Sequence, residues 1–261
     1  MQVPSAISFE DVSKTYGEGR AVDRVSLIVP RGEFLAVVGP SGSGKTTLLR
    51  FINRLTEPTS GTVRVDGQDV RAVDAIALRR RIGYVFQGIG LFPHMTVAEN
   101  IAITPKLIGT DRPQISERVN ELLSLVRLEP AKYLNRFPHE LSGGERQRVG
   151  VARAIAAKPQ IVLMDEPFGA LDPLTRDRLG QDYRALHDEF HLTTVMITHD
   201  TLEAVLLADR IAVVREGRVI DQGTPRALMS SERTDYVGEL MQTPRRQADR
   251  LNTLIGRGTP P

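Results

Sequence analysis

A chain of 261 residues, 41% of them hydrophobic, has enough apolar material for one large core or two small ones. No apolar run approaches the roughly 18 residues of a bilayer-spanning helix, 34 basic residues nearly balance 32 acidic ones, and cysteine is absent. A membrane span and a disulfide framework are thereby excluded, bulk charge gives no reason to expect a nucleic-acid partner, and the opening Met1-Gln-Val-Pro-Ser-Ala-Ile-Ser, which lacks a secretory pattern, predicts a cytoplasmic chain.

Residues 7–16 and 25–29 alternate in part between apolar and polar, with turn residues at Gly17, Gly19 and Pro30-Arg-Gly32, and predict antiparallel strands. Residues 33–38 form a nearly continuous apolar strand, followed by a Gly/Ser-rich loop and a helical pattern over 46–55. A hairpin over 62–70 is predicted to turn at Asp66-Gly67. Residues 82–86 read as a short strand, and residues 96–158 as helices cut by Pro105, Gly109, Pro113, Pro130 and Pro138. Strands at 161–165, 193–198 and 210–214 then alternate with helices at 174–190 and 200–208, which predicts a parallel sheet. The remainder is predicted to form short helices and a frayed polar tail, Gly256-Arg-Gly-Thr-Pro-Pro261.

Gly39-Pro-Ser-Gly-Ser-Gly-Lys45-Thr46 fits G-x-x-x-x-G-K-[ST], and it lies between a strand and a helix, where that motif works. Glycines let successive N–H groups converge on phosphate oxygens, the helix dipole favours negative charge, Lys45 neutralises the β and γ phosphates, and the Thr46 hydroxyl can hold Mg²⁺. Gly39, Ser41, Gly42, Ser43, Gly44, Lys45, Thr46 and Thr47 are therefore the expected nucleotide-binding residues. Ile161-Val-Leu-Met-Asp165-Glu166 ends an apolar strand in two acids. Alone, that pattern is more often a strand edge meeting solvent. Together with the loop it assigns Asp165 to Mg²⁺ and Glu166 to the base that polarises an attacking water.

The gap between the two motifs is far longer than one crossover helix requires, and inside it lies Leu141-Ser-Gly-Gly-Glu145-Arg-Gln-Arg148. Ser-Gly-Gly opening a helix is a cap and an anion site. With this signature, residues 7–230 resemble the ABC ATPases. The resemblance implies an α/β P-loop NTPase (RecA-like) core with an antiparallel β subdomain and an inserted helical subdomain at about 96–158. An ATPase domain over 1–235 would be followed by a short extension over 236–261. It further implies that Tyr16 stacks on adenine and that Gln87 approaches the metal and links the site to a membrane partner. Asp172 would communicate between protomers, and His199 would contact the γ phosphate. Ser142, Gly143, Gly144 and Glu145 would complete the phosphate site of a second copy. Glu145 and Gly169 depart from the commonest family residues, Gln and Ser.

Integral membrane permease subunits are expected to dock along Gln87-Gly-Ile-Gly-Leu-Phe-Pro-His-Met-Thr-Val-Ala-Glu-Asn100, whose Leu91 and Val97 could equally be core. Such a subunit would sit peripherally on the inner face of the cell membrane and meet a solute-binding protein indirectly. Residues 53–61, 88–97 and 103–107 look most like the importers of glycine betaine, carnitine or choline. An importer of another small solute, an exporter motor or a non-transport ATPase are the alternatives. Members of that importer group often carry paired regulatory CBS domains after the ATPase, for which the sequence leaves no room.

Overall fold

The computed structural model describes residues 5–88, 90–230 and 235–254. Strands β1 (Ser5–Tyr16) and β2 (Gly19–Pro30) form an antiparallel hairpin, with Tyr16 paired to Gly19 across the turn. Val25, Leu27 and Val29 face inward, and Ile28 stands 58% exposed between them, the period of two that a half-buried strand requires. β4 (Ser60–Val65) and β5 (Gln68–Asp69) complete this sheet in the order β2-β1-β4-β5. Asp66 and Gly67 join them with φ of 51° and 78°, the type I′ geometry expected for that dipeptide.

The second sheet runs β10-β9-β3-β8-β7-β6. β3 (Phe34–Val38), β6 (Ile82–Val85), β7 (Ile161–Asp165), β8 (Thr193–Thr198) and β9 (Arg210–Arg215) are parallel, and β10 (Arg218–Gly223) is antiparallel to β9. β3, β7 and β8 are buried at every position; β3 and the first four residues of β7 are continuous apolar runs, while β8 carries the buried threonines Thr193, Thr194 and Thr198. Leu35 and Val37 face the antiparallel sheet and α1 (Lys45–Ile52), whereas Phe34, Ala36 and Val38 face the opposite, helical side.

Among the described residues the regular elements between β6 and β7 are all helical: α3 (Val97–Leu107), α4 (Arg112–Leu125), α5 (Pro130–Tyr133), a 3₁₀ turn at Pro138–Glu140 and α6 (Gly143–Ile155). Pro113, Pro130 and Pro138 sit in first turns, where the missing N–H costs nothing; Pro105, expected as a break, lies inside the last turns of α3. α7 (Pro173–Glu189) and α8 (Thr201–Leu207) follow, then α9 (Pro225–Leu228), α10 (Tyr236–Met241) and α11 (Thr243–Leu254). The tail expected at Gly256–Pro261 lies outside the described residues.

Three local differences from the sequence reading have physical causes. α1 stops three residues short of Leu55 because Arg54 takes φ 55°, and the N–H groups of Leu55 and Arg54 return to the carbonyls of Arg50 (2.9 Å) and Phe51 (3.1 Å). That is a Schellman closure with arginine in the usual glycine place. A short unpredicted helix, α2 (Ala75–Arg80), is capped by Asp74, whose Oδ1 accepts the Ala77 N–H at 2.8 Å. The unpredicted β10 follows a tight Glu216-Gly217 turn with φ of 51° and 77°.

Candidate functional site

Four of the parallel strands end on the same edge of the sheet and deliver the expected residues there. Beyond β3 the chain turns through Gly39 (φ 156°), Gly42 (φ 77°) and Gly44 (φ 99°) before entering α1 at Lys45. A Cβ on Gly44 would lie 2.3 Å from the Ala21 carbonyl oxygen, so that position tolerates no side chain. The Ser43 carbonyl accepts the Gly217 N–H at 3.1 Å, which fastens the loop to the β9–β10 turn. Lys45 is buried and donates from Nζ to the carbonyls of Gly39 and Pro40, both at 2.8 Å. Burial lowers its pKa from the ordinary lysine value, and the Glu166 and Asp165 carboxylates oppose that shift.

Asp165 ends β7 in a buried position. Burial raises its pKa, the Glu166 charge adds to the rise, and Arg50, the Tyr84 hydroxyl (3.4 Å from Oδ2) and the Thr46 hydroxyl oppose it. A buried carboxylate beside the Thr46 hydroxyl is a hard-oxygen donor pair whose charge is only partly compensated, and this fits Mg²⁺ completed by ligand phosphates. Tyr84, on β6, has its own pKa raised by burial and by Asp165.

Glu166 takes φ 45°, an uncommon conformation for a residue with a side chain, and its N–H is held by the Ile197 carbonyl at 2.9 Å. Two groups meet at its Oε2: Gln87 donates from Nε2 at 3.0 Å, and His199 Nδ1 lies at 3.3 Å. The side chains that follow β6, β7 and β8 thus meet at one oxygen atom. Gly169 lies against the same pair; a Cβ there would stand 3.9 Å from both Glu166 Oε2 and His199 Cε1, an ordinary contact.

Ser142 caps α6, accepting the Glu145 N–H at 3.3 Å, while Glu145 Oε2 accepts the Ser142 N–H at 2.7 Å. Tyr133 donates its hydroxyl to the other oxygen of Glu145, and this bond leads the causes that hold the carboxyl below its ordinary pKa. Gly143 and Gly144 stay partly exposed, and Gly144 is pressed against Thr175 in the first turn of α7. Asp172 caps α7 by accepting the Thr175 N–H at 3.0 Å. Arg176 joins that loop to the histidine segment, reaching the Leu171 carbonyl at 3.2 Å and Asp200 Oδ2 at 3.1 Å.

The phosphate loop, Asp165, Glu166, Gln87 and His199 are therefore gathered at one sheet edge. Among the described residues no hydrogen bond joins Ser142–Glu145 to that loop. Tyr16, 54% exposed at the tip of the β1–β2 hairpin, carries Lys14 Nζ 5.0 Å from its ring centroid. Ser41 and Gly42 are exposed, and Thr47 lies in the first turn of α1. Val97 is fully buried and Leu91 packs partly against the core; among the described residues of the expected docking stretch Phe92 is the exposed large apolar group, with Phe86 exposed just before it. Sequence reasoning missed Tyr84, Tyr133 and Arg176, whose contacts depend on which strands and helices become neighbours.

A glycine loop between β3 and α1, acids at the end of β7 and parallel strands between two layers define a P-loop NTPase of α/β class, with an antiparallel sheet on one side and inserted helices on the other. The chain belongs to the ABC transporter family, whose model matches residues 22–169. It is 49% identical over 236 residues to the choline transport ATP-binding protein OpuBA of Bacillus subtilis (strain 168), covering 90% of this chain and 62% of that protein. Likewise it is 47% identical over 231 residues to the glycine betaine uptake system ATP-binding protein YehX of Escherichia coli (strain K12), covering 88% and 75%. A solved dimeric structure of the ATP-binding cassette MJ0796 in a post-hydrolysis state, bound to ADP and phosphate, superposes with a TM-score of 0.76 at 36% identity, covering 84% of this chain and 98% of that one. The chain spans about three-fifths of the length of the first Bacillus relatives it matches, 62% in each case.

Proposed function

We propose that this chain is the ATP-hydrolysing subunit of an ABC importer that takes up osmoprotectant quaternary amines such as glycine betaine, carnitine or choline. The observation that carries the ATPase reading is the convergence of Gln87 and His199 on the Oε2 of Glu166, next to the buried Asp165 and the Lys45 loop. Backbone N–H groups of the loop and the Lys45 ammonium bind the phosphates, with Lys45 exchanging its contacts to Gly39 and Pro40 for phosphate oxygens. Thr46, Asp165 and Gln87 would hold Mg²⁺, which supplies charge neutralisation on the phosphates when bound. Glu166 Oε2 accepts the proton of the attacking water. Gln87 Nε2 orients that carboxylate from one side, and His199 stands on the other, in reach of the γ phosphate. Tyr16 offers adenine an exposed ring face.

Ser142, Gly143, Gly144 and Glu145 complete the site of a second copy in this reading, so hydrolysis requires a dimer. A cleft of about 520 Å³ between α3, α6 and the sheet edge, lined by Phe86, Phe92, Ile103 and Leu107, is the seat for a permease segment. Among the described residues no helix is long and apolar enough to cross a membrane; the subunit would sit on the inner face of the cell membrane by contact with permeases. The choline and glycine betaine proteins at 49% and 47% identity support the solute class.

The test is ATP hydrolysis by the reconstituted complex with and without solute-loaded binding proteins. Stimulation by a betaine, carnitine or choline carrier is expected. Stimulation only by a sugar, amino acid or sulfate carrier overturns the solute class, and bound nucleic acid in place of a membrane partner overturns transport.

A further inference from the structure

Arg153 lies near the C-terminal end of α6, the helix that Ser142 opens, and is only 8% exposed. Burial lowers its pKa, the signature of a guanidinium taken out of water. A methionine or leucine would fill a helix-packing position without that cost. Its contacts account for its presence: Nη1 donates to the Gly90 carbonyl at 2.7 Å, and the guanidinium carbon lies 6.0 Å from the Phe86 ring centroid and 5.9 Å from that of Phe92. Gly90 takes φ 56°, and a Cβ there would lie 3.3 Å from the Phe86 ring.

The segment that Arg153 grips is fixed at two other points. Before Gly90, Gln87 donates to Glu166. After it, the fully buried Asn100 of α3 accepts the Phe92 N–H at 2.8 Å and donates to the Phe92 carbonyl at 3.1 Å. One short segment is thus held by the carboxylate at the sheet edge, by α3 and by α6. Between Ser142 and Arg153 lie three turns of one helix, about 16 Å of rigid rod.

We propose that Arg153 is a positioning residue that sets α6 against the glutamine segment, so that the Ser142 end of the helix is presented to a second copy in register with Glu166. The role rests on the dimeric ATPase reading above. It acts on dimerisation and not on the chain's own nucleotide binding, because the contacts that argue for it are to Gly90, Phe86 and Phe92, in the segment after β6.

The experiment uses the full chain carrying Glu166→Gln, alone and combined with Arg153→Met or Arg153→Lys. Monomer affinity for a fluorescent ATP analogue is measured at protein concentrations below dimerisation, and ATP-driven dimerisation is followed by light scattering. Monomer affinity is expected to stay within about twofold. The ATP concentration for half-maximal dimerisation is expected to rise about tenfold with Met, the scale of one lost charge-assisted hydrogen bond, and less with Lys, which keeps a donor but not the planar contact with both rings. Should Arg153→Met lose its cooperative melting transition, Arg153→Lys carries the comparison alone. Coincident dimerisation curves, or a parallel loss of monomer affinity, overturn the role. Absence of an ATP-driven dimer in Glu166→Gln itself overturns the dimeric reading and this role with it.

Discussion

Gln87 and Glu166 are 79 residues apart in the chain, yet Nε2 of the first lies 3.0 Å from Oε2 of the second. The cause is the pairing of β6 with β7 from Ile82↔Ile161 to Val85↔Met164, which brings the residues just beyond both strands to one edge. A carboxylate held by an amide donor keeps an orientation that an isolated surface glutamate would not.

Glu166→Gln is expected to lower turnover by at least about 10²-fold, the usual scale of a general base, while an ATP-stabilised dimer persists. Phosphate release together with light scattering checks both. Near-wild-type hydrolysis would remove Glu166 from the base role.

Gly44→Ala should be poorly tolerated. The new methyl would sit 2.3 Å from the Ala21 carbonyl oxygen, at φ 99°. A left-handed conformation for a residue with a side chain and the displaced backbone together cost on the order of 1–3 kcal/mol. Melting temperature and nucleotide affinity should fall together, because in the proposed function the N–H groups that form the loop are the ones that bind phosphate. Loss of neither would show that the loop relaxes freely.

Gly144→Ala tests the contact between α6 and α7 inside one chain. Its Cβ would meet Thr175 Cγ2 at 2.7 Å, and overpacking of this size costs about 1–3 kcal/mol. Thr175→Ser removes that methyl and keeps the backbone N–H that Asp172 accepts. The double variant should therefore recover most of the loss in a denaturation cycle, whereas additive losses would place the strain elsewhere.

The phosphate loop was legible because its glycines, lysine and threonine are consecutive, and the strand before it is buried on both faces. Asp66-Gly67 was legible because both residues suit positive φ. Glu216-Gly217 makes the same turn with a glutamate in the left-handed position, which propensity does not announce, and β10 was missed with it. Arg54 hid the end of α1 for the same reason. At the site, Gln87 and His199 could be assigned only through family resemblance, since nothing local to either residue says that β6, β7 and β8 end side by side. The Tyr84 contact to Asp165 and the Tyr133 contact to Glu145 depend on tertiary neighbours and left no local trace.

Glu203 gives the protein a stability that depends on pH in an unusual sense. It is buried in the first turn of α8, accepts a bond from the Thr198 hydroxyl, and its Oε1 has no hydrogen-bond partner among the described residues. Burial, with the Thr198 bond opposing and the Asp200 carboxylate adding, pushes its pKa from 4.5 up to about 7. The folded chain therefore holds this proton more tightly than the unfolded chain, and stability falls as pH rises from about 4.5 to about 7. The full difference is on the order of 3 kcal/mol, at about 1.4 kcal/mol for every tenfold gain in proton affinity. Glu203→Gln keeps the shape without the charge. The variant should melt close to the wild type at pH 5 and several degrees above it at pH 8, where the wild-type carboxyl is ionised in its buried place. Melting curves that stay parallel across this range would show that Glu203 reaches water in the folded protein, and the raised pKa would then have to be abandoned.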